Sequence, residues 1–461
     1  MDKNILNIVS AHVNQGNFPE ALSLLKKSEK NHINDAQYWE INALTHGMSG
    51  NNEGCLNSCL QAIKLNPGNI GTYINLGVAQ QNLGMLDEAE ATLKKALNMN
   101  SEHPQVQNNL GAIYILKTEY KKAKPYIEKA ISINPNYSDA VSNLAEIYKN
   151  HQDYDLAIEN YLKSLKLNPN NINSYIGLGI LYTYLVRYDE AETYLNHAVK
   201  LNPNNTEAMF NLGFLHYQKK AYDQASSYFE HTLKIDPNHS NARYLLSAIT
   251  GKESPDQSPE EYIKSLFDHY AETFDKHLVN DLGYSVPDTM YKIFTDNARP
   301  INTQHLLDLG CGTGLCGERF RTLYDHLTGI DLSELMIKKS NEKKIYDELH
   351  SSDISKYLEA TFLKYDLTIA ADVFIYIGNI AELVKTIYNR QNNGGYFIFS
   401  IETSSKHDTF HLRSTGRYSH NVHYIKKILD DAYYKIITST PTIIRNEKGS
   451  GINGIIYLCQ K

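Results

Sequence analysis

The sequence predicts two fold classes in series: an all-α solenoid of repeated helix pairs, then an α/β domain with a doubly wound parallel sheet. Small residues recur at 34-residue intervals through the first half, which indicates stacked two-helix units. The second half alternates apolar runs of strand length with helical stretches, as in a parallel sheet. One of these runs ends in closely spaced glycines, a turn that suits a nucleotide-bearing ligand.

Composition limits the classes of function. The chain has 461 residues, 42% hydrophobic and 21% charged, as in globular proteins. Its formal net charge of -7 argues against nucleic acid as the default partner, because phosphate binding usually needs a basic face. No window resembles a secretory signal or a membrane span, so we expect a cytoplasmic protein without membrane contact. The five scattered cysteines indicate reduced thiols, and we expect no metal site.

Small residues define the repeat. The first helix of each unit has a glycine or alanine and the second has an alanine, as at Gly77, Gly111, Ala145, Gly179 and Gly213, then Ala89, Ala123, Ala157, Ala191 and Ala225. Small side chains let two helices cross closely, and stacking covers the apolar face of each pair. The period is that of tetratricopeptide repeats. We predict seven units over about residues 2–239, capped by a helix at 240–249.

One repeat position forms a column of amides. Asn75, Asn109, Asn143 and Asn211 lie two residues before the small position, and Gly177 interrupts them. An amide both donates and accepts hydrogen bonds, so such a column can pair with an extended peptide on the concave face. It resembles the asparagine ladder of the O-GlcNAc transferases, and we expect a protein or peptide partner here. Asparagine is also the usual polar residue at this position, which leaves a structural role open.

A polar segment ends the repeat. Residues 250–260 contain Pro255 and Pro259, with serines and acidic residues between them, and they break the period. We therefore predict a solenoid at 1–249, a linker at 250–260 and an α/β domain at 261–461.

The glycine-rich turn fits two classes of cofactor. A strand-like run ends at Asp308, and Gly310, Gly312 and Gly314 follow at alternate positions, but Gly312, Gly314 and Gly317 also satisfy the dinucleotide pattern. In a dinucleotide site the carboxylate of Asp308 would lie close to two phosphate charges. It would instead attract the ammonium group of an aminoacyl ligand. The residues therefore favour the aminoacyl ligand.

The run Asp308-Leu309-Gly310-Cys311-Gly312-Thr313-Gly314 resembles the first motif of the class I S-adenosylmethionine-dependent methyltransferases, a group often joined to tetratricopeptide repeats. The resemblance implies a Rossmann-like domain, S-adenosylmethionine as cofactor and S-adenosylhomocysteine as product. It also implies cofactor contacts for a set of residues spread over the later motifs: Tyr270, Asp308, Gly310, Gly312, Gly314, Asp331, Met336, Asp353, Ile354 and Asp372.

The acidic members of this set each follow a predicted strand. Asp331 lies 19 residues after Gly312 and is suited to accept hydrogen bonds from ribose hydroxyls. Asp353 follows the next strand, where the family's acid meets the adenine amino group, and Asp372 follows the fourth, at the edge of the methyl-transfer site. Tyr270 and Phe274 lie on a helix that either covers the cofactor, as in related enzymes, or only packs through an apolar face.

Residues for the methyl acceptor are predicted from the later part of the domain. Tyr376 brings a phenol near the expected transfer site, in a motif that lacks the Asn-Pro-Pro-Tyr type of sequence of nucleic-acid amino methylation. A loop-like stretch at 413–424 offers His420 as a proton acceptor and Arg417, Tyr418 and Tyr424 as substrate contacts. The alternative is that this stretch only caps the following helix.

We therefore expect an S-adenosylmethionine-dependent methyltransferase whose repeats recruit a protein partner or substrate. The acceptor and the methylated element stay open at this point. Two alternatives also stay open: a repeat scaffold whose methyltransferase-like domain binds cofactor without turnover, and a nicotinamide-dependent oxidoreductase.

Overall fold

A computed structural model describes residues 3–271, 274–275, 283–298, 305–405, 407–447 and 450–461; at residues 3, 4, 269, 270, 447 and 450 it describes the backbone alone. The chain forms two compact units, Met1–Leu215 and His216–Lys461. The units divide inside the seventh helix pair, whereas the repeat period predicts a boundary at 250–260. The last repeat helices thus belong to the same compact unit as the sheet.

Helix pairs at the predicted period fill the first part of the chain. The described helices are α1 (Lys3–Asn14), α2 (Phe18–His32), α3 (Ala36–Met48), α4 (Asn52–Leu65), α5 (Ile70–Asn82), α6 (Leu86–Met99), α7 (Pro104–Leu116), α8 (Tyr120–Ile133), α9 (Ser138–Asn150), α10 (Tyr154–Leu167), α11 (Ile172–Tyr184), α12 (Tyr188–Leu201), α13 (Thr206–Gln218), α14 (Tyr222–Ile235) and α15 (Ser240–Thr250). This order confirms the predicted seven pairs and additional helix. Of the helices that the structure describes, none has the length and apolar content needed to cross a membrane.

Branched side chains explain the glycines of the repeat. A Cβ atom on Gly77 would lie 2.8 Å from Cγ of Leu93, and one on Gly179 would lie 2.4 Å from Cγ of Leu195. Both leucines are fully buried. The glycine is therefore required by a leucine one turn beyond the alanine of the second helix, rather than by the alanine itself.

The second unit contains a mixed sheet. Its strands are β1 (His305–Leu309), β2 (His326–Asp331), β3 (Glu348–Ser351), β4 (Tyr365–Ala370), β5 (Gln391–Glu402), β6 (Phe410–Leu412), β7 (Tyr418–His420), β8 (Lys435–Glu447) and β9 (Ser450–Gln460). Its further helices are α16 (Glu260–Tyr270), α17 (Val286–Asn297), α18 (Leu315–Phe320), α19 (Glu334–Glu342), α20 (Ile354–Ala360), α21 (Ala381–Asn389) and α22 (Val422–Asp431).

The strand order is β3-β2-β1-β4-β5-β9-β8, with the first five strands parallel and β9 antiparallel to both its neighbours. This confirms the predicted doubly wound sheet with an antiparallel end. Successive residues of β1 face different cores. Leu306 packs with Phe294 of α17, and Leu307 packs with Val384 of α21. The strand order reverses between β1 and β4, which places a ligand crevice at their carboxyl ends.

The stretch at 413–424 is more regular than the predicted loop. Leu412 pairs with Tyr418, so β6 and β7 form a two-stranded hairpin, and α22 follows at once. Asn421 caps α22, because its Oδ1 accepts the N–H of His423 at 2.8 Å. The loop prediction was wrong here, since three-residue strands are too short to show an alternating pattern.

Candidate functional site

A cavity of about 390 Å³ lies at the carboxyl ends of the central parallel strands. Its lining includes the following residues predicted to bind cofactor: Asp308, Gly310, Gly312, Asp331, Asp353, Ile354 and Asp372. Tyr376 and Arg417, predicted for the acceptor, line the same cavity. The fold thus brings together residues that are far apart in the sequence.

The glycine-rich turn leaves room for a ligand. Gly310 has φ +63°, and a Cβ atom there would lie 2.7 Å from Cγ2 of Val373. Gly312 has φ +53°, and the nearest atom to its Cβ position belongs to the ring of Phe274, at 3.8 Å. A side chain at position 312 would therefore occupy space between the turn and Phe274. The residues here fit a ligand held against the backbone of the turn.

Three other predicted cofactor residues do not show such a contact. Gly314 does not line the cavity and begins α18, with a Cβ position 3.1 Å from the ring of Tyr346. Met336 is fully buried away from the lining, so its predicted contact is not supported. The side chain of Tyr270 lies outside the described residues. Phe274, the other residue predicted to cover the cofactor, lines the cavity.

Asp308 is buried at the end of β1. It is 1% exposed, and the hydroxyl of Tyr346 donates to its Oδ2 at 2.6 Å. Burial raises the pKa of Asp308 to about 7, against the hydrogen bond from Tyr346, which lowers it. The charge of this carboxyl group therefore changes near neutral pH. No sequence motif marks Tyr346, which precedes β3.

Asp331 joins the glycine-rich turn to the next helix. Its Oδ2 accepts the N–H of Gly312 at 2.9 Å, and its Oδ1 accepts the N–H of Ser333 at 2.9 Å. Burial raises the pKa of Asp331 to about 6. Each carboxylate oxygen has a second lone pair, so the group can still accept a ligand hydroxyl. Asp353 caps α20 by accepting the N–H of Lys356 at 3.0 Å.

Asp372 has an unusual backbone conformation. Its φ of +57° lies in the left-handed region, which non-glycine residues rarely occupy outside functional sites. Its N–H donates to Oγ of Ser400 at 2.9 Å, and that hydroxyl lies 3.1 Å from Oδ1. Burial raises the pKa of Asp372 to about 6, and the nearby Arg445 acts in the opposite direction.

Arginines and a buried glutamate adjoin Asp372. Arg445 lines the cavity, lies 3.4 Å from Oδ2 of Asp372 and also pairs with Glu402. Glu402 is 1% exposed, and its Oε2 accepts from Arg413 at 2.6 Å. Arg445 is 73 residues from Asp372 in the sequence. No local pattern predicts its position.

The other acceptor predictions divide on burial. Tyr376 is half-buried on the lining and packs edge-on against Phe267, with ring centroids 5.3 Å apart. Tyr418 is fully buried and donates to the carbonyl of Pro255, while Tyr424 donates to Asn379. Neither tyrosine lines the cavity. We therefore withdraw Tyr418 and Tyr424 as substrate contacts.

His420 is also a correction. It is fully buried, and its Nε2 lies 3.0 Å from the carbonyl oxygens of Ile377 and Gly378, to which it donates. Burial lowers its pKa to about 4, so it stays neutral at physiological pH. It does not line the cavity. The predicted proton-accepting role does not fit this position, because the donating nitrogen is already used to hold the backbone.

In the first unit, the amide column is partly used inside the protein. Asn143 donates to Oδ1 of Asn108 at 2.9 Å, and Asn108 lies 3.3 Å from Oδ1 of Asn109. Asn211 donates to the carbonyl of Glu207 within its own helix. Asn75 is half-buried on α5. The column is therefore a mixture of internal hydrogen bonds and accessible amides.

Tyr161 explains the interruption at Gly177. A Cβ atom on Gly177 would lie 2.4 Å from Cζ of Tyr161, whose hydroxyl donates to Glu146 at 2.7 Å. The other repeats carry leucine or isoleucine at the position of Tyr161, and asparagine sixteen residues later, as in Leu93 with Asn109. The larger ring occupies the space that the asparagine uses elsewhere.

Comparison with known protein families agrees with this geometry. Residues 307–397 match the family model of a methyltransferase domain, and residues 58–91, 104–137, 137–204 and 185–249 match models of tetratricopeptide repeats. The second unit therefore contains a Rossmann-like methyltransferase domain, preceded by a tetratricopeptide solenoid.

Two curated relatives show the extent of the similarity. The chain is 34% identical over 101 residues to carboxy-S-adenosyl-L-methionine synthase of Campylobacter curvus (strain 525.92), which covers 21% of this chain and 43% of the relative. It is 36% identical over 69 residues to malonyl-[acyl-carrier protein] O-methyltransferase of Erwinia pyrifoliae (strain DSM 12163 / CIP 106111 / Ep16/96), covering 14% of this chain and 26% of the relative. The chain thus spans less than half the length of each.

Solved structures resemble each part separately. An S-adenosylmethionine-dependent methyltransferase from Clostridium acetobutylicum ATCC 824 is 20% identical, with 42% of this chain and 98% of that chain covered and a TM-score of 0.33. A tetratricopeptide repeat protein from Parabacteroides merdae ATCC 43184 is 17% identical, with 54% and 98% covered and a TM-score of 0.46. Neither likeness bears on function.

Proposed function

We propose that this chain, which joins tetratricopeptide repeats to a methyltransferase domain, transfers a methyl group from S-adenosylmethionine to an acceptor bound in the cavity. One observation carries the proposal: the glycine-rich turn and the acids Asp308, Asp331, Asp353 and Asp372 line a single cavity at the carboxyl ends of parallel strands. This is where open α/β sheets bind their ligands.

The chain's own groups fit the parts of this cofactor. Gly310 and Gly312 let the ligand reach the backbone, and Asp331 has lone pairs left for ribose hydroxyls. When ionised, Asp308 would attract the ammonium of the aminoacyl part. Asp353 and Ile354 would border the adenine. S-adenosylmethionine, when bound, supplies a methyl group on a positively charged sulfur.

The acceptor would bind beside Tyr376 and Arg417. Tyr376 and Phe267 give this part of the lining an aromatic surface, which excludes water and orients a flat or apolar group. Arg417 and Arg445 add positive charge, which favours an acceptor with a carboxylate or phosphate. Alignment alone can lower the barrier of such a transfer by up to ~7–11 kcal/mol, so a dedicated base is not required.

We also infer that the repeats recruit a protein partner or substrate through their concave face. The amide column supports this role where its members keep free donors, as at Asn109, whose Nδ2 is buried without a hydrogen-bond partner among the described residues. A pull-down from cell extract with the whole chain and with Asn109→Ala tests it. Equal recovery of every bound protein by both chains would argue against a role for this column.

Calorimetry separates the cofactor classes. We expect S-adenosylhomocysteine to bind the purified chain and NAD to show no heat of binding. Binding of NAD alone would instead support the oxidoreductase alternative. Incubation with labelled S-adenosylmethionine and cell extract then tests turnover. Cofactor binding without transfer to any extract fraction would support the alternative of a silent, cofactor-binding scaffold.

A further inference from the structure

Two tyrosines from the last repeat helices hold the turn between β6 and β7. The hydroxyl of Tyr217, at the end of α13, donates to the carbonyl of Ser414 at 2.9 Å. The hydroxyl of Tyr244, on α15, donates to the carbonyl of Gly416 at 2.9 Å. Tyr244 has one hydroxyl hydrogen, so Ser258 is the donor in its 2.6 Å contact with Tyr244. All these residues lie in the second unit.

The turn fits closely against these side chains. The N–H of Arg413 donates to the carbonyl of Arg417 at 2.8 Å, and the N–H of Gly416 donates to the carbonyl of Arg413 at 2.9 Å. Gly416 has φ +70°, and a Cβ atom there would lie 2.9 Å from Oη of Tyr262 and 3.2 Å from Oη of Tyr217. The backbone of the turn is therefore held from inside by its own hydrogen bonds and from outside by tyrosine hydroxyls.

This turn forms part of the cavity wall. Thr415, Gly416 and Arg417 line the cavity, together with a neighbouring group from the end of α13 and the segment before α16: Tyr217, Gln218, Gln257 and Ser258. None of these residues belongs to the motifs that bind the cofactor. They border the part of the cavity that we assign to the acceptor. The end of the repeat region therefore supplies part of the acceptor site.

We propose that Tyr217 and Tyr244 are positioning residues for the methyl acceptor: they fix the 413–417 turn so that Arg417 faces the cavity. The inference rests on the proposed function and adds to it, because it makes acceptor selection depend on the repeat end rather than on the sheet alone. Loss of either hydroxyl leaves a buried carbonyl without its donor, and the turn then loses its fixed position. Cofactor contacts at the glycine-rich turn stay unchanged.

The test compares the whole wild-type chain with the Tyr217→Phe/Tyr244→Phe variant. The probes are S-adenosylhomocysteine for binding and labelled S-adenosylmethionine with the small-molecule fraction of a cell extract for transfer. We expect roughly a 3- to 10-fold higher half-saturating amount of extract fraction, with S-adenosylhomocysteine affinity within about twofold of wild type. We also expect faster hydrogen exchange of the amides of Arg413 and Gly416.

Tyr434→Phe is the matched control. Tyr434 is buried, and its hydroxyl donates to Gln391, which does not line the cavity. It should leave half-saturation and exchange of the turn at wild-type values. An extract fraction treated with phosphatase shows whether a phosphate is the anionic group: lost transfer indicates phosphate, and retained transfer indicates carboxylate.

Two outcomes would overturn the inference. One is unchanged half-saturation in the double variant, and the other is a loss of cofactor affinity as large as the loss of transfer, since the effect would then be general. Absence of transfer by the wild-type chain that still binds S-adenosylhomocysteine would instead defeat the proposed function. In that case hydrogen exchange still decides whether the tyrosines fix the turn.

Discussion

The hydroxyl of Tyr346 donates to Oδ2 of Asp308 at 2.6 Å, beneath the glycine-rich turn. The ring of Tyr346 also packs against two glycines, since a Cβ atom on Gly317 or Gly329 would lie 2.5 Å or 2.8 Å from it. The tyrosine therefore has a packing function and an electrostatic one. Replacement by phenylalanine separates them, because it keeps the ring and removes the hydroxyl.

Tyr346→Phe should weaken S-adenosylhomocysteine binding in a pH-dependent way. Without the hydrogen bond the pKa of Asp308 rises further, so fewer molecules carry the charge that attracts the ligand ammonium. We expect roughly 3- to 10-fold weaker binding at pH 7 and near-complete recovery at pH 9, measured by calorimetry. The control is Tyr324→Phe, in the same core, whose hydroxyl has no hydrogen-bond partner among the described residues. An equal loss at both pH values would contradict the electrostatic explanation.

The stability of the ligand-free protein should fall as pH rises from 6.5 to 8. The folded-state pKa of Asp308 is raised from 3.8 to about 7, so between these values the folded state holds more protons than the unfolded state. The slope for one such proton is at most ~1.4 kcal/mol per pH unit. His420, with a pKa lowered to about 4, acts in the opposite direction below its ordinary value of 6.5, outside this window. Unfolding in urea at several pH values measures the slope, and Asp308→Asn should reduce it. A slope that is the same in the variant would assign it to other groups.

Asp331→Ala should weaken cofactor binding by at least ~1–3 kcal/mol, the cost of leaving hydrogen-bonding groups unpaired. The substitution removes the acceptor for the N–H groups of Gly312 and Ser333 as well as for the ligand. Asp331→Asn keeps one acceptor oxygen and should lose less. Calorimetry with S-adenosylhomocysteine measures both variants. Affinity unchanged in Asp331→Ala would remove this residue from the site.

Arg445→Gln should destabilise the second unit by ~3–5 kcal/mol, because breaking a buried ion pair leaves a charge without compensation. Glu402 is 1% exposed and would keep only Arg413. The Glu402→Gln/Arg445→Gln variant should recover part of the loss. Arg187→Gln breaks an exposed pair with Glu190 and should have little effect. Denaturant unfolding of the four chains checks this, and similar effects of Arg445→Gln and Arg187→Gln would refute it.

Gly177→Asn should destabilise the solenoid by ~1–3 kcal/mol, because the new side chain meets the ring of Tyr161. Adding Tyr161→Leu reproduces the pair found at Leu93 and Asn109 and should restore most of the stability. Gly68→Ala is the control, since the nearest atom to its Cβ position is 3.7 Å away. Thermal unfolding followed by far-ultraviolet circular dichroism measures all four chains. Failure of the double variant to recover would mean that Tyr161 does not cause the interruption.

Residues close together in the sequence account for most of the correct predictions. The 34-residue period predicts the helix pairs, and strand-ending acids predict the cavity edge occupied by Asp308, Asp331 and Asp372. The incorrect predictions at His420, Tyr418 and Tyr424 share a cause. These side chains alternate with exposed neighbours in a short hairpin and helix start, where the sequence does not show which side chain faces the cavity.

The sequence by itself determined what depends on local backbone geometry: the repeat period, the strand order and the glycine-rich turn, because glycine spacing and apolar periodicity act over a few residues. Only the tertiary structure decided which side chains meet. Tyr346 reaches Asp308 across 38 residues, Arg445 reaches Asp372 across 73, and Tyr244 reaches Gly416 across 172. Such contacts depend on how whole elements pack, and burial then sets the charge of each group. The cofactor half of the site was therefore readable from the chain, whereas the acceptor half emerged only from packing.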